Sequence, residues 1–302
     1  MSAQQQVRPE PERVRTGHPI VVAVDGSDHN RAAVDWAAAE AAATGCAITL
    51  VTAVDEYPLP VPHFTVRRGE DHAQALLARV RERVRETVSS QEVRTEAALG
   101  SAVNVLLAHA KQARMLVVGK RGLGAFARVL VGSTSIALAG RSPVPVVVVP
   151  DAWAPAVHVG QPVVVGIEPG RSDAPSIRLA FRRARRLGVP LVAVHGWHAP
   201  SFAIGEVMAE AGTPREWEIE AHEAADRVVA EWRDRFRDVD VQTVHSPEHP
   251  AMAVLDAAEH AQMVILGRHT DTRLGGFGFG SVTRAVLHYS DCPVTVVPSD
   301  PS

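Results

Sequence analysis

The sequence predicts an α/β protein made of two tandem copies of one domain, each a parallel sheet with helices on both faces. Three observations predict it. The first is an internal repeat. Gly132-Ser133, a helical stretch and Ser142-Pro143-Val144-Pro145-Val146-Val147-Val148-Val149-Pro150 recur as Gly280-Ser281, a helical stretch and Ser290-Asp291-Cys292-Pro293-Val294-Thr295-Val296-Val297-Pro298. The offset is 148 throughout, and Met115–Gly119 matches Met263–Gly267 at the same offset (263 − 115). A constant offset across strand, loop, helix and strand marks a duplication. The second is alternation of short apolar runs with helical patterns, which implies parallel strands joined by right-handed crossovers. The third is that runs such as Met115–Val118 are continuously apolar, as in strands covered on both faces.

The elements follow in order. The first half has apolar runs at Ile20–Val24, Ala47–Val54, Val93–Ala98, Met115–Val118 and Val146–Val149. Helical stretches are expected near 28–44, 70–89, 101–112 and 132–141. Ala32, Ala33, Trp36, Ala37, Glu40 and Ala41 keep a 3.6-residue period. In the second half, strands are expected near 162–167, 190–195, 240–244, 263–266 and 294–297, and helices near 171–187, 208–237, 250–261 and 280–289. The domains are read as 18–150 and 162–302, preceded by a disordered tail (1–17) and joined by a linker (151–161) with no helical or strand period. The stretches Glu56–Gly69 and Trp197–Pro214 read as long loops that differ between the halves.

Composition narrows the classes. The 302 residues are 46% hydrophobic and carry a formal net charge of −3, so no global charge draws the chain to nucleic acid or an anionic membrane. No apolar run approaches the roughly 18 residues that span a bilayer, and residues 1–17 lack the apolar core of a secretory signal. Cys46 and Cys292 lie one in each half with no near partner and read as reduced thiols of a cytoplasmic protein. His195-x-x-His198 and His245-x-x-x-His249 read as loop histidines without the matching cysteines of a metal site.

In an open parallel sheet ligands bind beyond the carboxyl ends of the strands, where the strand order reverses. Two such ends in the first half carry distinctive residues. The first strand ends Ala23-Val24-Asp25-Gly26-Ser27. The fourth ends Gly119-Lys120-Arg121-Gly122-Leu123-Gly124 and leads to Gly132-Ser133-Thr134 at a helix start. Gly119, Gly122 and Gly124 permit positive φ and close backbone approach. The helix start offers free N–H groups and a positive dipole end, and Ser133 and Thr134 add hydroxyls. Asp25 is suited to a ribose hydroxyl or a base amine. From Ala97 to Pro150 there is no Asp or Glu, while Lys111, Arg114, Lys120, Arg121, Arg128 and Arg141 are all basic. Gly122-x-Gly124-x-x-Ala127 matches a dinucleotide fingerprint in letters only, since no acidic residue follows about 20 positions on. No P-loop and no G-x-S-x-G elbow is present.

These residues resemble the universal stress protein family across nearly all of 18–298. The pattern G-x2-G-x9-G-[ST] stands in this chain as Gly119-x2-Gly122-x9-Gly132-Ser133. The resemblance implies Rossmann-like domains with five strands in the order 3-2-1-4-5. It implies ATP between strands one and four, and Mg²⁺ on the phosphates is common chemistry for bound ATP, although the sequence shows no dedicated ligand set. Ala23, Asp25, Gly26 and Ser27 would then face the nucleoside and Val54 the adenine. Gly119, Lys120, Arg121, Gly122, Leu123, Gly124, Gly132, Ser133 and Thr134 would surround the phosphates. It further implies pairing through the last strands, either between the two halves or in a homodimer. The function so implied is a nucleotide-dependent regulatory or sensor module in stress response, with no catalytic residue set. The alternatives are a slow ATPase, self-phosphorylation on Ser133 or Thr134, and a structural dimerisation module.

The second half departs from the pattern. Gly166-Ile167-Glu168-Pro169 replaces the Asp-Gly-Ser turn, and Thr270 replaces the second glycine between Gly267-Arg268 and Gly280-Ser281. A Cβ at Thr270 narrows backbone approach and Pro169 removes a donor. The expectation is a second nucleotide site that is degraded rather than lost.

Overall fold

Short runs of β-branched residues make the strands, and alanine-rich or amphipathic stretches make the helices between them. The computed structural model describes residues 17–54, 63–88, 90–122, 131–169, 175–197, 214–268 and 280–299. The first half contributes β1 (Ile20–Ala23), α1 (Arg31–Thr44), β2 (Ile48–Val54), α2 (His63–Thr87), β3 (Val93–Leu99), α3 (Ala102–Ala110), β4 (Met115–Gly119), α4 (Ser133–Arg141) and β5 (Val146–Val149). One turn, α5 (Pro155–His158), lies between the halves. The second half contributes β6 (Val163–Gly166), α6 (Pro175–Leu187), β7 (Leu191–Gly196), α7 (Pro214–Arg235), β8 (Val241–Ser246), α8 (Pro250–Ala258), β9 (Met263–Gly267), α9 (Ser281–Tyr289) and β10 (Val294–Val297).

The strands form one ten-stranded sheet in the order β3-β2-β1-β4-β5-β10-β9-β6-β7-β8. Each half therefore has the expected order 3-2-1-4-5, with parallel neighbours. The halves join through their last strands, β5 and β10, which run antiparallel with Val294 opposite Val148 and Val296 opposite Val146. Of the two pairings implied by the resemblance, the intrachain one is realised. It gives β5 a neighbour on each side and leaves it no open edge.

Val146–Val149 and Val294–Val297 are buried along their whole length, as strands roofed on both faces must be. Helices α1, α2, α6 and α7 cover one face and α3, α4, α8 and α9 the other, each layer sealing a core that runs through both halves. The two N-terminal βα units superimpose in register. β6 follows β1, and the C-terminal glycine Gly188 of α6 follows Gly45 of α1, both at an offset of 143 (163 − 20 and 188 − 45). On that register Glu40 corresponds to Arg183. The two meet at the junction, where the Arg183 guanidinium bonds the Glu40 carboxylate and Arg186 adds contacts of 2.7 and 2.8 Å.

Two elements differ from the sequence expectation. The linker holds the single turn α5, too short to show a period, with Pro155 at its first position. Helix α2 begins at His63 rather than near 70, running through Gly69. A Cβ at Gly69 would lie 3.2 Å from Val54 Cγ1, so the glycine lets the helix pass close to the end of β2. Among the described residues, no helix is long and apolar enough to cross a membrane.

Candidate functional site

At the end of β1 the chain turns on its own side chain. The Ser27 amide donates to Asp25 Oδ1 at 2.9 Å, an Asx turn. Gly26 between them has φ +79°, the left-handed region where a Cβ is strained, and a Cβ there would also sit 3.1 Å from Leu76 Cδ2 of α2. Asn30, buried, donates from Nδ2 to the Ala23 carbonyl at 2.9 Å and ties the turn to the strand. The Ser27 hydroxyl is buried and has no hydrogen-bond partner among the described residues.

The glycine loop after β4 lies against this turn. A Cβ on Gly122 would fall 2.5 Å from Asp25 Oδ2, so Gly122 packs against the Asp25 carboxylate and a side chain there would have to displace it. A Cβ on Gly119 would lie 3.0 Å from the Arg121 carbonyl and 3.3 Å from that of His29. Neither glycine has positive φ; of the two uses open to them, close approach accounts for both. The Gly132 amide donates to the Lys120 carbonyl at 2.8 Å and Ser135 Oγ to the Gly119 carbonyl at 2.8 Å, which ties the start of α4 to the end of β4. Gly132 caps α4 without a side-chain hydrogen bond, ahead of the exposed Ser133 and the half-buried Thr134. Leu123 and Gly124 lie outside the described residues. Val54 stands at the end of β2, its carbonyl accepting from the Gly100 amide at 2.9 Å.

The basic pair in the loop is engaged elsewhere. Lys120 is buried, and its Nζ donates to the Ser290 carbonyl of the second half at 2.8 Å. Burial pushes its pKa down, against the pull of Asp291 and Asp151. Arg121 bonds Asp151, which also takes His29 Nδ1 at 3.0 Å. Burial opposes ionisation of Asp151, but Arg121 and His29 outweigh it and hold its carboxyl below the usual range. Asp151, counted with the linker in the sequence, thus neutralises a residue expected to face phosphate. A carboxylate ending the acid-free stretch was the visible signal.

The second half repeats the frame and alters the details. Arg268, equivalent to Lys120, donates from Nη1 to the Ser142 carbonyl at 2.7 Å, so the two basic residues reach across the junction reciprocally. Gly166 stands where the first half has Ala23. A Cβ there would come within 2.8 Å of Leu266 Cδ2, so this glycine makes room for a leucine where β4 has Val118. Glu168 is exposed, and Gly267 ends β9. Gly280 caps α9 without a side chain, ahead of the exposed Ser281. Thr270 lies outside the described residues.

Three histidines gather beside this second turn. His195 lies in β7 and His245 in β8, opposite each other in register, which corrects the loop reading. His222 of α7 packs on both, with ring centroids 5.7 Å from His195 and 4.3 Å from His245. His195 Nδ1 donates to the Ile167 carbonyl at 3.4 Å, as Thr52 Oγ1 does to Val24 in the first half, and His245 Nε2 meets Asp226 at 3.1 Å. His195 Nε2, His222 Nε2 and His245 Nδ1 are buried with no hydrogen-bond partner among the described residues. Burial lowers the His195 pKa, and the two neighbouring imidazoles lower it further. Among the described residues no three His, Cys, Asp or Glu side chains are arranged to hold a metal ion. His249 instead caps α8, its Nδ1 accepting from the Ala251 amide at 3.2 Å, and His198 lies outside the described residues.

The universal stress protein family model matches residues 17–150 and again 160–298. Two universal stress proteins of Mycobacterium tuberculosis are each 32% identical to the chain. One aligns over 292 residues (93% of this chain, 97% of that protein) and the other over 312 (95% and 98%). The crystal structure of a universal stress protein from Archaeoglobus fulgidus superimposes with a TM-score of 0.69 at 16% identity, over 93% of this chain and 96% of that one, a likeness of fold. A duplicated 3-2-1-4-5 sheet, a glycine loop closing on the first-strand turn and a family match in each half leave one conclusion: the chain belongs to the universal stress protein family.

Proposed function

We propose that the first half binds ATP between the β1 turn and the glycine loop, and that the protein is a nucleotide-dependent regulatory module rather than an enzyme. The observation that carries this reading is the contact between Gly122 and Asp25, where a Cβ would stand 2.5 Å from the carboxylate oxygen. It joins an acceptor for a ribose or base to a glycine that brings backbone close, on the segment between β4 and the glycine-capped start of α4. The buried, unpartnered Ser27 hydroxyl supports a ligand group at the turn. Ala23, Asp25, Gly26, Ser27 and Val54 would line the nucleoside end. Gly119, Gly122, Gly132, Ser133 and Thr134 would hold the phosphates by backbone amides and hydroxyls, and Mg²⁺ would screen their charge. Lys120 and Arg121 shape the loop through Ser290 and Asp151 rather than meeting the phosphates.

The second half binds nucleotide more weakly, because Pro169 has no amide to donate and replaces the glycine of the turn. No nucleophile–base pair stands at the loop among the described residues, which favours binding that shifts a conformational population over turnover. Two free thiols, Cys46 and Cys292, suit a cytoplasmic protein. Denaturing extraction of the purified chain, with released nucleotide identified and counted, tests the reading. About one ATP per chain, staying intact over hours, is the expected result. No nucleotide, together with no thermal shift on adding Mg-ATP, overturns it in favour of a structural module.

A further inference from the structure

The histidine group of the second half is an addition to the fold, and the first half is the control that shows it. Strand register sets His195 opposite His245, as it sets Thr52 opposite Ala97 in the first half. The positions correspond at the offsets of their strands, 143 (195 − 52, as 191 − 48) and 148 (245 − 97, as 241 − 93). The sheet and its covering helix therefore form without imidazoles at these places. In the second half three rings meet. His195 and His245 lie 6.1 Å apart between centroids, and His222 of α7 packs against both.

The surroundings favour neutral rings. His195 is 4% exposed, and its Nδ1 gives a hydrogen to the Ile167 carbonyl. A further proton must go to Nε2, which is buried with no acceptor among the described residues. The charged groups acting on His195 are the other two imidazoles and Asp226, and Asp226 bonds His245 rather than His195. On α7, Glu218 and Asp226 stand one turn either side of His222. Strand β6 carries no ionisable side chain, the arginines of α6 line the junction between the halves, and Glu168, next to Ile167, is exposed. Burial lowers the His195 pKa; the Ile167 carbonyl and Asp226 oppose it, and the two rings add to it.

The part of α7 that carries His222 is lightly held. From Arg215 to Ala224 no side chain is buried, whereas Ala225, Val228, Val229 and Trp232 beyond it are in the core. His222 brings this stretch against the sheet, ring on ring with β7 and β8. We propose that the three histidines are an acid-operated latch: uncharged, they hold the first turns of α7 on the sheet, and protonation in mild acid releases those turns while the rest of the helix stays docked. An imidazole that is neutral when latched, and titrates at about pH 6.5 when released, favours release by about tenfold at one pH unit lower. Release also loosens the tie from His195 to the Ile167 carbonyl, so acid reaches the second half's counterpart of the Asp25 turn. The latch does not depend on bound nucleotide.

Hydrogen–deuterium exchange of the full chain, read by mass spectrometry at about pH 7.5 and about pH 5.5 with the chemical exchange rate divided out, is the test. Helix α2, which covers β2 and β3 without such a cluster, is the internal reference. On acidification the amides of residues 218–224 should lose about tenfold or more of their protection relative to α2, while those of 225–235 change no more than α2 does. In His195→Thr/His245→Ala, which imports the first half's pair, that ratio should be the same at both pH values, whatever its level. His222→Gln leaves the strands untouched and should give the same flat response. Equal change in α2 and in residues 218–224 of wild type overturns the proposal, as does a loss of protection that persists in both variants. A loss running on through residues 225–235 overturns the latch in favour of release of the whole helix.

Discussion

Lys120 Nζ lies 2.8 Å from the carbonyl oxygen of Ser290, a residue 170 positions away in the other half of the chain. The basic residue inside the glycine loop is thus a strut across the junction. Its counterpart Arg268 makes the same reach to Ser142. Both acceptors sit in matching turns, where Ser142 Oγ accepts from the Val144 amide and Ser290 Oγ from that of Cys292.

A split outcome is expected for Lys120→Met. Losing a buried hydrogen bond from a charged donor should cost about 1.5–3 kcal/mol of stability, read by urea denaturation. Bound nucleotide per chain should stay at the wild-type level. A variant of normal stability that had lost its nucleotide would return Lys120 to the phosphates.

The glycines of the loop should separate by substitution. Gly122→Val drives carbon into Asp25 and should abolish bound nucleotide. Gly132→Ala places a Cβ no nearer than 3.6 Å to its neighbours, at a φ of −68° that alanine accepts. Its stability should stay within about 0.5 kcal/mol of wild type. Equal ATP content in Gly122→Val and wild type would refute the site.

Removing the Glu40 carboxylate should be among the most damaging single changes. Glu40 is 4% exposed, and Glu40→Ala leaves the mostly covered Arg183 beside the more exposed Arg186 with their shared carboxylate gone. The expected loss is about 3–5 kcal/mol, measured by chemical denaturation. Burial works against ionisation of Glu40, but the two guanidiniums prevail and its pKa is lowered. Its contribution is therefore full above the ordinary carboxylate value of about 4.3 and is lost as pH falls below it.

Acid should weaken the fold earlier than carboxylates alone require. The His195 pKa is depressed by burial and by His222 and His245, with Asp226 opposing. The unfolded chain takes up that proton first, so stability is full above about 6.5 and declines as pH drops through that value. His195→Thr, which imports the first half's Thr52, should flatten the slope of stability between about pH 6.5 and 5. An unchanged slope would exclude the cluster as its source.

Strands, duplication and the loop glycines are readable from sequence because their causes are local. An apolar run such as Val146–Val149 declares a doubly covered strand by itself, and Gly119, Gly122 and Gly132 keep a spacing that survives without knowledge of partners. The directions of Lys120 and Arg121 are not local. Each is set by an acceptor beyond its own element, Ser290 in one case and Asp151 in the other. The histidine group needs the β7–β8 register and the seat of α7 before His195, His222 and His245 become neighbours. Sequence spacing between them carries no such information. Gly69, read as the end of a loop, turned out to be helical because its missing side chain serves α2 against Val54.

Glu40 and Arg183 hold one position in the two copies and touch each other, so that position lies beside the pseudo-twofold axis. In a symmetric pair of identical first halves it would set carboxylate against carboxylate, and in a pair of second halves guanidinium against guanidinium. Each half is therefore electrostatically barred from its own twin and matched to its sibling. Within one chain the two positions meet as opposite charges, and two halves expressed apart should find each other before they find themselves.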